Sequence, residues 1–149
     1  MAHKGKAMRI RVPAFTLLEL AMTLAAVAIV AMFAVPSWRS QIARSHRIDA
    51  MTALYRAAQF VDTQTPAATS LPAGLDQAPP ESAAVYRLRL LPGDEANGGY
   101  VITASPVESG PMYDDACGTF TLDATGMRGN QAAHAGAAAP GAEECWRGR

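Results

Sequence analysis

The residue whose position most needs a chemical explanation is Glu19. It stands in Phe15-Thr16-Leu17-Leu18-Glu19-Leu20, a run that continues apolar as far as Val35, and across those 21 residues only Thr16, Glu19 and Thr23 are polar. A carboxylate inside an apolar helix costs on the order of 3 kcal/mol, so it is kept there only with a partner or a purpose. Charge pairing, rather than catalysis, is the chemistry it offers. The other reactive side chains form no catalytic arrangement. His3 precedes the apolar run, His46 falls on the exposed side of a helix pattern, and His134 lies in a Gly/Ala-rich tract; none has metal-ligand spacing with cysteine or carboxylate. No Gly-x-Ser-x-Gly motif occurs, and Gly93 to Gly99 reads as a turn because no helix pattern opens after it, as a phosphate loop requires. Asp94-Glu95 and Asp114-Asp115 lack EF-hand spacing and read as solvated turn residues. Trp38 and Trp146 read as packing residues. The expectation is a protein that is not an enzyme and uses neither metal nor cofactor.

The element that holds Glu19 is long enough to cross a bilayer as a helix, for which roughly 20 residues suffice. Its flanks are not those of an ordinary secretory signal, which has an apolar centre of about 7–15 residues followed by a small-residue cleavage site. Here the run is longer, carries a carboxylate near its start, and has its small residue, Ala14, in front, where a basic segment with Lys4, Lys6, Arg9 and Arg11 ends. Basic flanks hold their side of a membrane segment in the cytoplasm, which places residues 1–14 inside and everything after about residue 36 outside.

Basic leader, small residue, Phe-Thr-Leu-Leu-Glu-Leu and then a membrane-length helix resembles the class III signal of type IV prepilins and the related pseudopilins. In that family a membrane peptidase cuts before the Phe and leaves the hydrophobic helix on the mature protein. The resemblance implies a cut between Ala14 and Phe15, N-methylation of Phe15, and Glu19 as the fifth mature residue; the family usually has Gly where this chain has Ala14. It also implies a purpose for the carboxylate. In a filament, Glu19 of one subunit meets the N-terminal amine of Phe15 on its neighbour, which neutralises two charges that lipid and filament core would both reject and specifies axial register.

The formal net charge of zero hides an asymmetry. Four of the 13 basic side chains lie before Ala14, so a chain starting at Phe15 has nine against 13 acidic ones, a formal charge of −4, with no lysine left. Such a surface has no general electrostatic pull on nucleic acid, which is therefore not an expected partner. At 149 residues the chain has room for one domain of ordinary size. With much of its apolar content in the N-terminal helix, the soluble core must be modest.

Beyond Pro36, apolar residues recur at Trp38, Ile42, Ile48, Met51, Leu54, Tyr55, Ala58 and Val61, as one face of an amphipathic helix, with Arg39, Arg44, Arg47, Asp49 and Arg56 mainly between them. A helix from Phe15 to Asp62 is about 70 Å long. Pro36 removes one backbone hydrogen bond within it, and a kink there is expected; pilins of this type also commonly carry a helix-bending proline at this point. From Thr63 to Pro80, Thr, Pro, Ala, Ser and Gly dominate and no regular element is expected. Period-two alternation around Tyr86, Leu88 and Leu90 marks a first strand, Tyr100 to Ser105 a second and Gly118 to Asp123 a third, with turns at Pro92–Gly99 and Thr125-Gly126. Gly129 to Gly141 is low-complexity sequence with little to bury. Both cysteines, Cys117 and Cys145, fall on the outer side, where disulfides persist. A bridge between them pins the tail to the third strand and is worth roughly 3.5 kcal/mol in the chain-entropy model.

Gly99-Tyr100 to Ala104, the run Asp115 to Asp123, Thr125-Gly126 and the closing Cys145-Trp146 resemble the C-terminal half of PilE-type minor pilins, whose cysteine pair bounds an exposed loop, the D-region. The resemblance implies an α+β pilin fold: a leader at 1–14, a membrane and filament-core helix at 15–36, an amphipathic helix at 37–62, and at 63–149 a loop and small antiparallel sheet with the disulfide-bounded region. It implies a structural subunit of a type IV pilus, a minor one on size and C-terminal pattern. Such a subunit is held in the inner membrane as a prepilin and assembled into a surface filament. Its partners are other pilins, the prepilin peptidase, the inner-membrane assembly platform and membrane lipid. A pseudopilin of a type II secretion system and a DNA-capturing competence pilin are the alternatives that share the N-terminus.

Overall fold

The apolar run folds as expected of a segment without turn residues. In the computed structural model, which describes residues 15–64, 68–132, 134 and 138–147, helix α1 spans Leu17–Thr63. Ala14 and the rest of the basic leader lie outside the described residues. Thr16 starts the helix: its carbonyl accepts from Leu20 N at 3.1 Å and its hydroxyl from Glu19 N at 3.2 Å, satisfying an amide that the first turn leaves without a helical partner. Pro36 lies inside α1, and the helix does not end there. By contact density the chain divides into two compact units, one ending at Trp38 and the other beginning at Arg39.

In the first unit the side chains of α1 are exposed along their whole length, Phe15, Leu17, Leu24, Ile29 and Phe33 among them. Among the described residues this is the one helix long and apolar enough to cross a membrane.

The second unit is a sheet packed on the later part of α1. Strands β1 (Gln77–Ala78), β2 (Tyr86–Pro92), β3 (Tyr100–Pro106), β4 (Thr119–Asp123) and β5 (Arg128–Gln131) form one antiparallel meander in chain order. Alternation along the strands turns Tyr86, Leu88, Ile102, Ala104, Phe120 and Leu122 inward. They meet Ala50, Met51, Ala53, Leu54, Ala57 and Val61 on α1, where three alanines leave room for the larger strand residues. At the β2–β3 turn, Asp94 caps a short 3₁₀ turn, Glu95–Asn97, and Asn97 bonds back to the Asp94 amide at 2.8 Å. A Cβ on Gly93 would lie 2.0 Å from Asn97 Oδ1 and 2.7 Å from the Tyr100 amide nitrogen, so a side chain there would force the turn to shift.

The structure corrects the sequence reading in several places. Within the stretch expected to lack regular structure, Gln77–Ala78 pairs with Tyr86 and Arg87 as β1, and Gln77 Nε2 bonds the carbonyls of Pro79, Pro80 and Ser82. The supposed low-complexity tract begins with β5 and is followed by helix α2, Ala142–Trp146. On α1, Trp38 is 70% exposed and Ile42, Ile48 and Tyr55 are also exposed, because three of the six buried positions of the core face are alanines, which a search for large apolar residues passes over. His46 is half-buried rather than on an open face.

Asp115, expected to be a solvated turn residue, is only 8% exposed and forms a two-pronged ion pair with Arg47, itself 15% exposed. Arg47 Nε donates to Asp115 Oδ2 at 3.1 Å and Nη2 to Oδ1. This pair ties α1 to the loop just before Cys117. Beside it the Tyr86 hydroxyl is buried, without a hydrogen-bond partner among the described residues. Burial raises its pKa, and the Asp115 charge adds to that, with Arg47 opposing. At the other end of the α1–sheet contact, Tyr100 donates to Asp62 Oδ1 at 2.7 Å. Burial, then the hydrogen bond and charge of Asp62, push the Tyr100 phenol up to about 12.

Two outcomes follow. Truncating one partner of a buried pair strands the other charge, so Arg47→Ala or Asp115→Ala lowers urea-unfolding stability by about 3 kcal/mol, whereas an apolar replacement of both together loses much less. The Tyr100 pKa is higher folded than in its ordinary state at 10.0, so this contact stabilises fully below pH 10 and its contribution fades as pH rises towards 12. In Tyr100→Phe, stability measured across that window declines less steeply with pH.

Candidate functional site

Two surfaces in the chain have chemistry that the core does not use. The first is the start of α1. Phe15 is 81% exposed, and Glu19, four residues on, is exposed in the first helical turn, where the helix dipole favours an acid. Around and after it the helix presents Leu17, Leu18, Met22, Val27 and Val30 with small residues between them; Ala26, Val27, Val30 and Ala31 line a shallow apolar groove. Small residues let helices approach closely where no water competes for the backbone. Thr23 has its hydroxyl satisfied by the Leu20 carbonyl at 2.8 Å, so within the described run Glu19 alone carries charge.

The second surface belongs to the sheet and its C-terminal clamp. Cys117 and Cys145, both buried, are joined across a sequence separation of 28, which anchors α2 to the start of β4. Asn130 on β5 reinforces the anchor: its Nδ2 donates to the carbonyls of Pro140 at 3.1 Å and Cys117 at 3.3 Å. Trp146 Nε1 donates to the Gly129 carbonyl at 3.0 Å. Edge-on ring contacts then run from Tyr55 on α1 through Trp146 to Phe120 and on to Tyr86. Arg128 lies over both Tyr55 and Trp146, its guanidinium carbon 5.6 Å from each ring centre. An open cleft of about 380 Å³ is bordered by Gly126, Arg128, Ala142, Glu143, Trp146 and Arg147. Its second guanidinium is compensated, since Arg147 pairs with Glu143 at 3.1 Å. At the adjoining β4–β5 turn the Asp123 carboxyl accepts from the Thr125 hydroxyl and from the amides of Thr125 and Met127, and its pKa is lowered, chiefly by the hydroxyl.

The residues that sequence reasoning singled out are thus distributed. Cys117 and Cys145 come together, Phe15 and Glu19 lie at the beginning of α1, Pro36 is inside it, and Ala14 lies outside the described residues. Asn130 and Arg128 were missed. The available signal was the Asp123-Ala-Thr-Gly-Met127 turn, a loop of hairpin length with a glycine at φ 84°, which anticipates a partner strand immediately after β4. Among the described residues no cluster of His, Cys, Asp or Glu could hold a metal ion.

The model of one protein family, described as type IV minor pilin ComP, DNA uptake sequence receptor, matches residues 36–121, which is more than half of the chain. No match was found among curated proteins. The matched stretch takes in the amphipathic part of α1 and the sheet as far as the middle of β4. With the long apolar helix, the antiparallel sheet and the C-terminal disulfide already described, the match shows that the chain belongs to this family of type IV minor pilins.

Proposed function

We propose that this minor pilin is cut by the prepilin peptidase between Ala14 and Phe15, N-methylated on Phe15, held in the inner membrane by residues 15–36 with its leader on the cytoplasmic side, and passed by the assembly platform into a filament through the same helix. The observation that carries the proposal is a membrane-length apolar helix that no part of the chain covers among the described residues, with one carboxylate in its first turn. Water is a poor solvent for that surface, whereas lipid and then the helices of neighbouring pilins are good ones. Cleavage creates an α-amino group next to Glu19, and pairing that amine with the Glu19 carboxylate of an adjoining subunit removes both charges from the apolar core. Pro36 then kinks the helix where it leaves that core.

Within the filament we assign the second unit the role of a DNA receptor, because the matched family is described by that activity. A mature charge of −4 argued against this, but an average over the chain says nothing about one face of a sheet. No observation favours a secretion pseudopilin.

Mass spectrometry of the N-terminus from sheared surface filaments tests the maturation step. The expected first residue is methylated Phe15, and any other start removes the basis for the pairing. Glu19→Ala reaches the membrane in normal amount, while its recovery in sheared filaments falls by roughly tenfold or more, equivalent to about 1.4 kcal/mol of lost pairing. Filament recovery equal to that of the unmodified protein would show that the carboxylate has no assembly role.

A further inference from the structure

The strand register sorts the sheet's outward side chains into rows. Arg87 faces Ser105, which faces Thr119; Arg89 faces Thr103, which faces Thr121. All lie opposite the inward set of Tyr86, Leu88, Ile102, Ala104 and Phe120. These two rows contain two guanidiniums and four hydroxyls and no carboxylate. Thr119 Oγ1 donates to Ser105 Oγ at 3.1 Å, and a Cβ on Gly129, next to Thr121 in β5, would come within 2.6 Å of the Thr121 hydroxyl, so the surface stays flat at that edge. The carboxylates at its rim are engaged. Asp76 lies 3.7 Å from Arg87, which also donates to Gln77 Oε1 at 3.2 Å and still keeps its side chain 56% exposed, and Asp123 is held in its own turn. Arg89 has no ion-pair partner among the described residues.

We propose that this outward sheet face is where the chain takes up DNA, with Arg87 and Arg89 on phosphates and the neighbouring hydroxyls completing the backbone contact. The proposal rests on the receptor reading above and locates it. Arginine and small hydroxyl side chains are the usual phosphate donors in DNA complexes. Alternate residues of a strand are about 6.8 Å apart, a spacing that a backbone rising about 3.4 Å per nucleotide can meet with two of its phosphates. The competing site, the cleft beside α2, is poorer on two counts. Arg128 is occupied by two rings and Arg147 by Glu143, and the cleft lies outside residues 36–121, the stretch shared with the receptor family, whereas the two arginines and all four hydroxyl residues lie within it.

The test uses the full chain in detergent micelles and fluorescently labelled short fragments of the producing bacterium's chromosomal DNA, with affinity followed by anisotropy across a salt titration. The unmodified protein is expected to bind at low salt. Arg87→Gln with Arg89→Gln weakens binding about tenfold or more and reduces the slope of log affinity against log salt by about 1.8, the value for two lost phosphate contacts, while Arg44→Gln with Arg56→Gln, the same charge change on α1, weakens it less than about threefold. Thr121→Glu, which keeps both arginines and sets an anion in the hydroxyl row, reproduces the loss and decides the matter if the arginine variant does not fold. Wild-type affinity in the Arg87/Arg89 variant, or equal losses in the two arginine pairs, overturns the sheet-face assignment and leaves the receptor reading standing. If the unmodified protein retains no DNA at low salt, the receptor reading fails and this proposal with it.

Discussion

The constraint on which the molecule depends is that α1 carries two different kinds of surface along its length. As far as Val35 it is apolar around its whole circumference; from Arg39 onward, polar and charged residues alternate with a core-facing set led by Ala50, Leu54 and Ala57. A helix that is hydrophobic on every side has to be surrounded by something apolar, while one that is hydrophobic on a single stripe needs only one partner layer. The sheet is that layer for the later part. For the earlier part the chain supplies none among the described residues, and its length and composition fit a membrane span. Glu19 is intelligible only against this background, as a charge whose tolerance depends on what surrounds the helix.

A sheet of five strands, one of them two residues long, resting on a few turns of helix has little apolar area to bury. The second unit compensates with specific ties that join sequence-distant elements. The Arg47–Asp115 pair, the Cys117–Cys145 bond, Asn130 with its three-way bonding, and the edge-on ring contacts from Tyr55 to Tyr86 converge on the start of β4 and on α2. Alone, α2 has five residues, begins at a glycine without a side-chain cap, and buries only Cys145 among its own residues. A helix that short does not persist by itself. It is ordered because the bridge, the Trp146 indole bond to Gly129 and the ring contacts fix it from three directions.

What could be read from the chain beforehand divides along the same physical line. The apolar helix, the helix beyond it and the three longer strands are written in local periodicity, so they were legible; β2, β3 and β4 begin within one residue of their expected starts and end within two of their expected ends. Elements ordered by tertiary ties were not. β1 exists because Gln77 bonds three carbonyls of the following loop, and β5 because its neighbour β4 needs a partner edge, and neither carries alternation of its own. Asp115 was misplaced for a related reason: its burial is decided by Arg47, 68 positions away, and no window of sequence around Asp-Asp-Ala-Cys contains that information.

Charge gives the sharpest case of what composition hides. A formal net charge of zero describes a particle seen from far away, yet at a screening length of roughly 8–10 Å a ligand senses only the groups close to its own contact. In this chain the carboxylates concentrate in turns and caps, at Asp94, Asp115, Asp123 and Glu143, where each is answered by an amide, a hydroxyl or a guanidinium. The β-strand alternation that buries Leu88 must turn Arg87 and Arg89 outward, and the same pleat must set Ser105 and Thr103 opposite them. Segregation of charge is therefore a by-product of building the core, and a face rich in hydrogen-bond donors arises on a chain of zero formal charge without any change in that total.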